Sequence, residues 1–351
     1  MKILVITLSG IGDALMFTPA LGLLRKSLPD AEIDALVMYR GAKEIYESNP
    51  NFNKVIHFNF LEEGAFKSLN FLFQLRKKYD ASINVYPSNR KEYNLISFLI
   101  GAKKRAGVVY LRKNRNNLNS LNNIRVLEND NVHNVLTNIK LCEALIGIKF
   151  NEEAPLEFHI NDEEKDKTEK HLIDFGISDN ELVVGFHPGC ATLKNHVKRR
   201  WEPEKFAELG KKLINNHSGR ILIFGGPEEK ELKDQISSLI NSDKVNVINA
   251  ENLTKSSAIM KRCNIFVTND SSQMHIAAAL GLKVVAIIGP TNQNYIHPWK
   301  TEHQIVSLNL DCSPCFFYSP KPLICNRTDL QFKCIKELTV DMVYSSIIKF
   351  L

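Results

Sequence analysis

The chain has 351 residues, 44% of them apolar and 24% charged, with a formal net charge of +6 and a pI near 8.8. Such a composition excludes a disordered chain and a disulfide-stapled miniprotein, and the length favours two layered domains over one. No apolar run reaches 18 residues, so no membrane-spanning helix is expected.

The N-terminal "MKILVITLSG" reads as a first strand, because it lacks the small-residue cleavage site of a signal peptide. Short β-rich runs then alternate with helix-length segments: "KILVIT", "IDALVM", "KVIHF", "ASINVY" and "RAGVVY" in the first half. After residue 180 the series begins again with "LVVGFHPG", "RILIFGGP", "VNVIN", "NIFVTND", "KVVAIIGP" and "HQIVSL". Runs apolar on both faces suit strands of a covered parallel sheet. Segments such as 203–217, with Phe206, Leu209 and Leu213 about one turn apart, suit the helices between them. The alternation predicts a doubly wound α/β architecture, and the restart predicts two of them. The seam is placed at 155–180, beside the highly charged "NDEEKDKTEK". The domains are then 1–165 and 166–338, followed by an amphipathic helix over 339–351.

Ligands of open parallel sheets gather where strand C-termini meet helix N-termini. The first such turn, "TLSGIGDALMFTPALGLL", carries Gly10-x-Gly12 but has Leu15 where a dinucleotide fingerprint needs its third glycine. Asp13 would also repel a pyrophosphate, so dinucleotide binding is rejected here. Two roles remain for Asp13: a helix N-cap, or a general base beside an interdomain cleft. The second turn is "NIFVTNDSSQMHIAAALG", where Ser271 and Ser272 can cap a helix start whose N–H groups attract anions. His275 lies on the same side of that helix, either as a packed histidine or as a donor to a bound phosphate. A third loop leaves its strand through His187-Pro188-Gly189 and runs into Lys194, Lys198, Arg199 and Arg200, a solvated run or a set of phosphate-facing cations.

The stretch 110–125, with Arg112, Lys113, Arg115 and Arg125, reads as a loop. It is either plain surface or a clamp on an anionic glycolipid that would draw the chain to a membrane face. Cys312, Cys315, Cys325 and Cys334 crowd four of the seven cysteines into 23 residues. A structural metal site, disulfides and free thiols all stay open for them, because the later spacings match no strong zinc pattern.

Together, "GIGDALMFTPAL", "HPG…KRRWEPEKFAEL", "FGGPEEKEL" and "TNDSSQMHIAAALGLKVVAIIGPTN" resemble glycosyltransferase family 9, the heptosyltransferase family of lipopolysaccharide core assembly. The resemblance implies a GT-B type α/β fold of two facing Rossmann-like domains. It also implies inverting sugar transfer from a nucleotide-diphosphate sugar, ADP-heptose in the best-known members, with no cofactor required for catalysis. The C-terminal half would hold the donor and the N-terminal half a lipid-linked acceptor. By resemblance Asp13 is the base, and Asp270, Ser271, Ser272 and His275 face the donor diphosphate and sugar. Glu228 grips ribose hydroxyls, and Gly189, Lys194 and Arg199 complete the donor side. Ser272 stands where the family has glycine, and Arg199 stands where it has lysine. Arg112, Lys113 and Arg115 are the acceptor candidates. The implied setting is cytoplasmic, at the inner face of the membrane, with no nucleic-acid partner. A sugar other than heptose, a nucleotide-sugar epimerase and a non-catalytic nucleotide-sugar sensor are the alternatives.

Overall fold

The computed structural model describes residues 1–112, 116–178, 180–317 and 322–351, and it divides into two compact units, Met1–His159 and Ile160–Leu351. The first unit runs β1 (Lys2–Thr7), α1 (Ile11–Ser27), β2 (Glu32–Val37), α2 (Arg40–Glu47), β3 (Lys54–His57) and α3 (Gly64–Leu75). It continues through β4 (Ala81–Asn84), α4 (Lys91–Ile100), β5 (Lys104–Val109), β6 (Ile124–Leu127) and α5 (Asn134–Ile146). All six strands pair in parallel in the order β3-β2-β1-β4-β5-β6. Leu4, Ile6 and Leu36 pack against Leu72, Leu75, Ile96 and Ile100 of α3 and α4, while α1 and α5 lie together on the opposite face.

The second unit begins with α6 (Asp162–Asp174), whose start is capped by Asn161 Oδ1 accepting from the Glu164 N–H at 2.9 Å. It proceeds through β7 (Val183–His187), α7 (Pro203–His217), β8 (Arg220–Ile223), α8 (Lys230–Ile240), β9 (Val245–Val247), α9 (Leu253–Met260) and β10 (Ile265–Asn269). The remaining elements are α10 (Ser272–Ala279), β11 (Lys283–Ile287), α11 (Gln293–Ile296), β12 (His303–Val306), α12 (Lys333–Lys336) and α13 (Val340–Ile348). The strand order is β12-β11-β10-β7-β8-β9, again all parallel, so both units repeat one doubly wound topology. Helix α13 buries Val343 and Ile347 in the core built on Phe186, Val267 and Val285.

Two readings of the sequence need correction in the first unit. Strand β6 was not expected, because 110–125 reads as a loop. As the edge strand it alternates half-buried Ile124 and Val126 with exposed Arg125 and Leu127, so it lacks an apolar run. The asparagines before it are not surface residues either: Asn117, Asn119 and Asn122 are buried. Asn94 Oδ1 accepts from Asn84 Nδ2 at 3.0 Å and Asn122 Nδ2 at 2.8 Å, and Asn94 Nδ2 donates to the Asn117 carbonyl at 2.7 Å. A β-carbon on Gly107 would lie 2.3 Å from Asn122 Nδ2, so this network needs glycine in β5. Among the described residues, no helix is long and apolar enough to cross a membrane.

Candidate functional site

In each unit the strand order reverses at one point, between β1 and β4 and between β7 and β10, and such a point opens a crevice above the strand ends. The loaded turns of the sequence leave these strands.

At the first switch point Gly10 is the N-cap of α1, and its N–H donates to Asp13 Oδ2 at 3.2 Å. Asp13 is therefore the third helical residue reaching back to the N-cap N–H, the one half of a capping box that a glycine N-cap allows, and not the N-cap itself. Two phenols, Tyr46 buried and Tyr93 partly buried, brace the turn: Tyr46 donates to the Ala14 carbonyl at 3.0 Å and Tyr93 to the Leu8 carbonyl at 2.7 Å. The neighbouring Ser9 Oγ is buried and has no hydrogen-bond partner in the described structure.

At the second switch point Ser271 is the N-cap of α10 by backbone geometry, but its hydroxyl makes no capping bond. It meets His187 Nδ1 at 2.9 Å and Thr268 Oγ1 at 3.3 Å instead. The helix start thus keeps its N–H groups and the positive end of its dipole without a side-chain cap. Ser272 takes ordinary helical geometry with no positive φ, so the backbone does not demand the family's glycine.

Behind Ser271 runs a buried relay. His187 Nε2 lies 3.1 Å from Glu229 Oε2, and Glu229 also accepts from the Gly226 N–H at 3.1 Å and Arg200 at 3.2 Å. Burial pushes the Glu229 carboxyl up, but His187, the Gly226 N–H and Arg200 together outweigh it and hold it below the usual carboxylate range. A carboxylate only accepts, so Nε2 carries the proton shared with Glu229. The buried glutamate is one residue beyond Glu228, which is exposed on the turn after β8. Sequence reasoning missed Glu229 and His187 as partners. A β-carbon on Gly189 would lie 1.7 Å from Glu229 Oε1, so this glycine makes room for the relay. Asn269, also missed, ties the loop to the sheet: its Nδ2 donates to the Pro188 carbonyl at 2.6 Å and its Oδ1 accepts from the Trp201 N–H at 3.0 Å.

Asp270 does not stand open to a ligand as the sequence suggested. Its Oδ2 accepts from Arg199 and from Thr291 Oγ1, both at 2.5 Å, and both ionic partners are buried. Arg199 further lies 5.5 Å over the Phe316 ring and donates to His196 Nδ1 at 3.4 Å, while its own Nε is buried and unpartnered in the described structure. Lys194 is partly exposed near His196 and holds a left-handed backbone with φ of 56°, as does Asn195 with φ of 66°. Arg112 is paired bidentately with Asp130 at 2.7 and 2.5 Å, so its charge is already largely balanced, and this weakens its role as an acceptor clamp. Lys113 and Arg115 lie outside the described residues.

Burial drives the His275 imidazole down to about 4, and its Nδ1 has no hydrogen-bond partner in the described structure. His196 is lowered to about 4 by burial and then by the Arg199 charge. Both rings are neutral when folded but regain an ordinary pKa of about 6.5 when unfolded. Their contribution to stability is therefore whole above about pH 6.5 and lost as the pH falls toward about 4. The expected melting temperature is flat above neutrality and drops over that window, with the slope reduced in His275→Asn. A melting temperature that holds down to pH 4 would show these rings are not buried neutral.

The four clustered cysteines are free thiols, and burial and then the neighbouring Cys315, Cys325 and Cys312 push the Cys334 thiol up to about 11. Cys312 Sγ accepts from Arg327 at 3.5 Å, Cys325 Sγ accepts from the Phe332 N–H at 3.2 Å, and Cys334 is buried on α12. Among the described residues, no group of three or more His, Cys, Asp or Glu side chains is placed to hold a metal. The described structure pairs none of Cys312, Cys315, Cys325 and Cys334 in a disulfide, and it lends no support to a structural metal among them.

The sequence profile of glycosyltransferase family 9 (heptosyltransferase) matches residues 69–321. The chain belongs to this family. It is 26% identical to the lipooligosaccharide heptosyltransferase 2 of Campylobacter jejuni, covering 98% of this chain and 96% of that one. It is 28% identical to the lipopolysaccharide heptosyltransferase 2 of Salmonella typhimurium, covering 88% of each. Among solved structures, the Escherichia coli ADP-heptose lipopolysaccharide heptosyltransferase II superposes with a TM-score of 0.74 at 22% identity, covering 100% of this chain and 98% of that one. The GT-B fold class expected of a family 9 transferase is therefore the fold of this chain.

Proposed function

We propose that this family 9 transferase moves heptose, with inversion, from ADP-heptose to a lipopolysaccharide core acceptor. The carrying observation is the uncapped start of α10, whose N-cap hydroxyl is held by a buried His187–Glu229 pair instead of closing the helix. The names of the relatives support the sugar and the acceptor.

In this reading the first unit receives the acceptor and the second the donor. Asp13 takes the proton of the acceptor hydroxyl, whose oxygen attacks the anomeric carbon as the bond to the diphosphate breaks. Negative charge then grows on the leaving diphosphate. The N–H groups of α10, Arg199 and Lys194 offset that charge without a metal ion. With the proton on Nε2 toward Glu229, His187 Nδ1 accepts from Ser271 Oγ and holds that hydroxyl off the helix N–H groups, which are left for phosphate oxygens. Glu228, exposed beside this site, is the carboxylate proposed to meet the ribose.

A thermal-shift screen across ADP-, GDP- and UDP-sugars tests the donor, because a ligand at 100 times its Kd stabilises by about 2.7 kcal/mol. ADP-heptose is expected to raise the melting temperature selectively and Ser271→Ala to blunt the shift. Transfer to a heptose-deficient core acceptor completes the test. Selective binding without transfer to any core acceptor would leave a sensor, and a shift with UDP-sugars alone would overturn the donor.

A further inference from the structure

Helices α3 and α4 lie side by side on one face of the first sheet, with Leu72, Leu75, Ile96 and Ile100 turned into the core. Their outer faces are also apolar. Phe66 is 86% exposed, Phe73 56% and Leu69 44% on α3, with Leu95 at 42% and Phe98 at 46% on α4 and Leu61 at 68% just before them. Phe66, Leu69 and Phe73 share one helical stripe, as do Leu95 and Phe98. Single exposed apolar side chains are ordinary on a soluble protein; a paired stripe across two neighbouring helices is not.

Cations edge the rings. The Arg76 guanidinium sits 5.6 Å over the Phe73 ring, and that of Arg105 sits 5.6 Å over Phe98. Lys77, Lys78, Lys91 and Lys103 are exposed at the ends of these helices. Residues 61–105 carry nine basic and four acidic side chains, a net +5 of the chain's +6. Aromatic and leucine side chains flanked by arginine and lysine are suited to the boundary between acyl chains and phosphates, where rings insert and cations stay at the headgroups.

We infer that the outer face of α3 and α4 docks on an anionic phospholipid bilayer. A second copy of the chain is a poor occupant, because pairing this face with itself would oppose two strongly positive surfaces. The purpose of the surface rests on the lipid-linked acceptor proposed above, but its test does not use the transfer reaction.

The full chain is sedimented with vesicles of phosphatidylethanolamine and phosphatidylglycerol, and with phosphatidylcholine alone, at low and high salt. Binding is expected only to the anionic vesicles, weakening as salt rises. Phe66→Ser/Phe73→Ser is expected to lower partitioning by about tenfold or more. Arg76→Ser/Lys77→Ser/Lys78→Ser is expected to lower it by about fivefold per cation lost. Melting curves and solution mass confirm that each variant is a folded species of wild-type size. Equal binding to neutral vesicles, unaltered binding by both variants, or a dimer that Phe66→Ser/Phe73→Ser dissociates would overturn the inference. Transfer to a soluble, delipidated core acceptor is expected to survive both variants. Failure of that transfer in the wild-type chain, with vesicle binding intact, would sink the proposed reaction and leave this surface standing.

Discussion

Asp13→Asn is expected to lower the turnover of sugar transfer by about 10²–10⁴ while leaving donor affinity unchanged. The choice of asparagine follows from the second job of this side chain. Asp13 Oδ2 accepts from the Gly10 N–H at 3.2 Å and so helps close the start of α1. Alanine would remove both the proton acceptor and the capping partner, and lost capping alone costs about 1 kcal/mol. Asparagine keeps an oxygen of the same reach and loses only the basicity. Two measurements separate the roles: turnover with saturating ADP-heptose, and donor Kd by calorimetry. A variant that transfers within about tenfold of wild type would remove Asp13 as the base. A variant with unchanged turnover but a lower melting temperature would leave it as a helix cap alone. Tyr46 and Tyr93 brace the backbone of this turn at the Ala14 and Leu8 carbonyls, so the turn is expected to hold in Asp13→Asn and the large loss of turnover to be the result.

What the sequence discloses and conceals here follows from the range of the interactions concerned. Strand β10 is legible because Ile265, Phe266 and Val267 are buried on both faces of a central strand, which writes an unbroken apolar run. Edge strand β6 writes no such run, and its four residues are hidden in a polar stretch. The turn at Asp270–Ser272 announces a helix start by local chemistry alone. The destination of the Ser271 hydroxyl is another matter, since its partner His187 lies 84 residues away and arrives only because β7 pairs with β10. Glu228 and Glu229 are indistinguishable by composition. The phase of the short turn Pro227–Glu229 sends one to solvent and the other into the relay. The asparagines near 117–122 look like solvated loop because each is polar, yet once folded their amide N–H groups bond one another and the backbone, and only Asn84 Oδ1 and Asn122 Oδ1 are buried there without a partner in the described structure.

The largest stability effect is expected at the Arg199–Asp270 pair. Both side chains are buried, and they meet at 2.5 Å with Thr291 Oγ1 on the same carboxylate oxygen. Asp270→Asn keeps the shape but leaves a buried guanidinium without its counter-charge, and Arg199→Met leaves the carboxylate with Thr291 alone. Breaking a buried pair from one side costs about 3–5 kcal/mol, far more than the net worth of the pair. The double variant removes both charges, so its cost is expected to fall short of the sum of the single costs by about 0.5–3 kcal/mol, as chemical denaturation of the four proteins would measure. Single costs below about 1 kcal/mol would mark the bridge as one that water already screens. The same pair also separates structure from binding. Asp270 orients Arg199 and is not itself proposed to touch the donor, so Arg199→Met should weaken donor affinity by one lost charge-assisted bond, about 1.5–3 kcal/mol or roughly ten- to 150-fold. Asp270→Asn, measured under conditions where it is folded, should retain the cation and most of that affinity. Equal losses of donor binding in both variants would instead make Asp270 a direct ligand of the donor, and the buried bridge a resting arrangement that the donor rearranges.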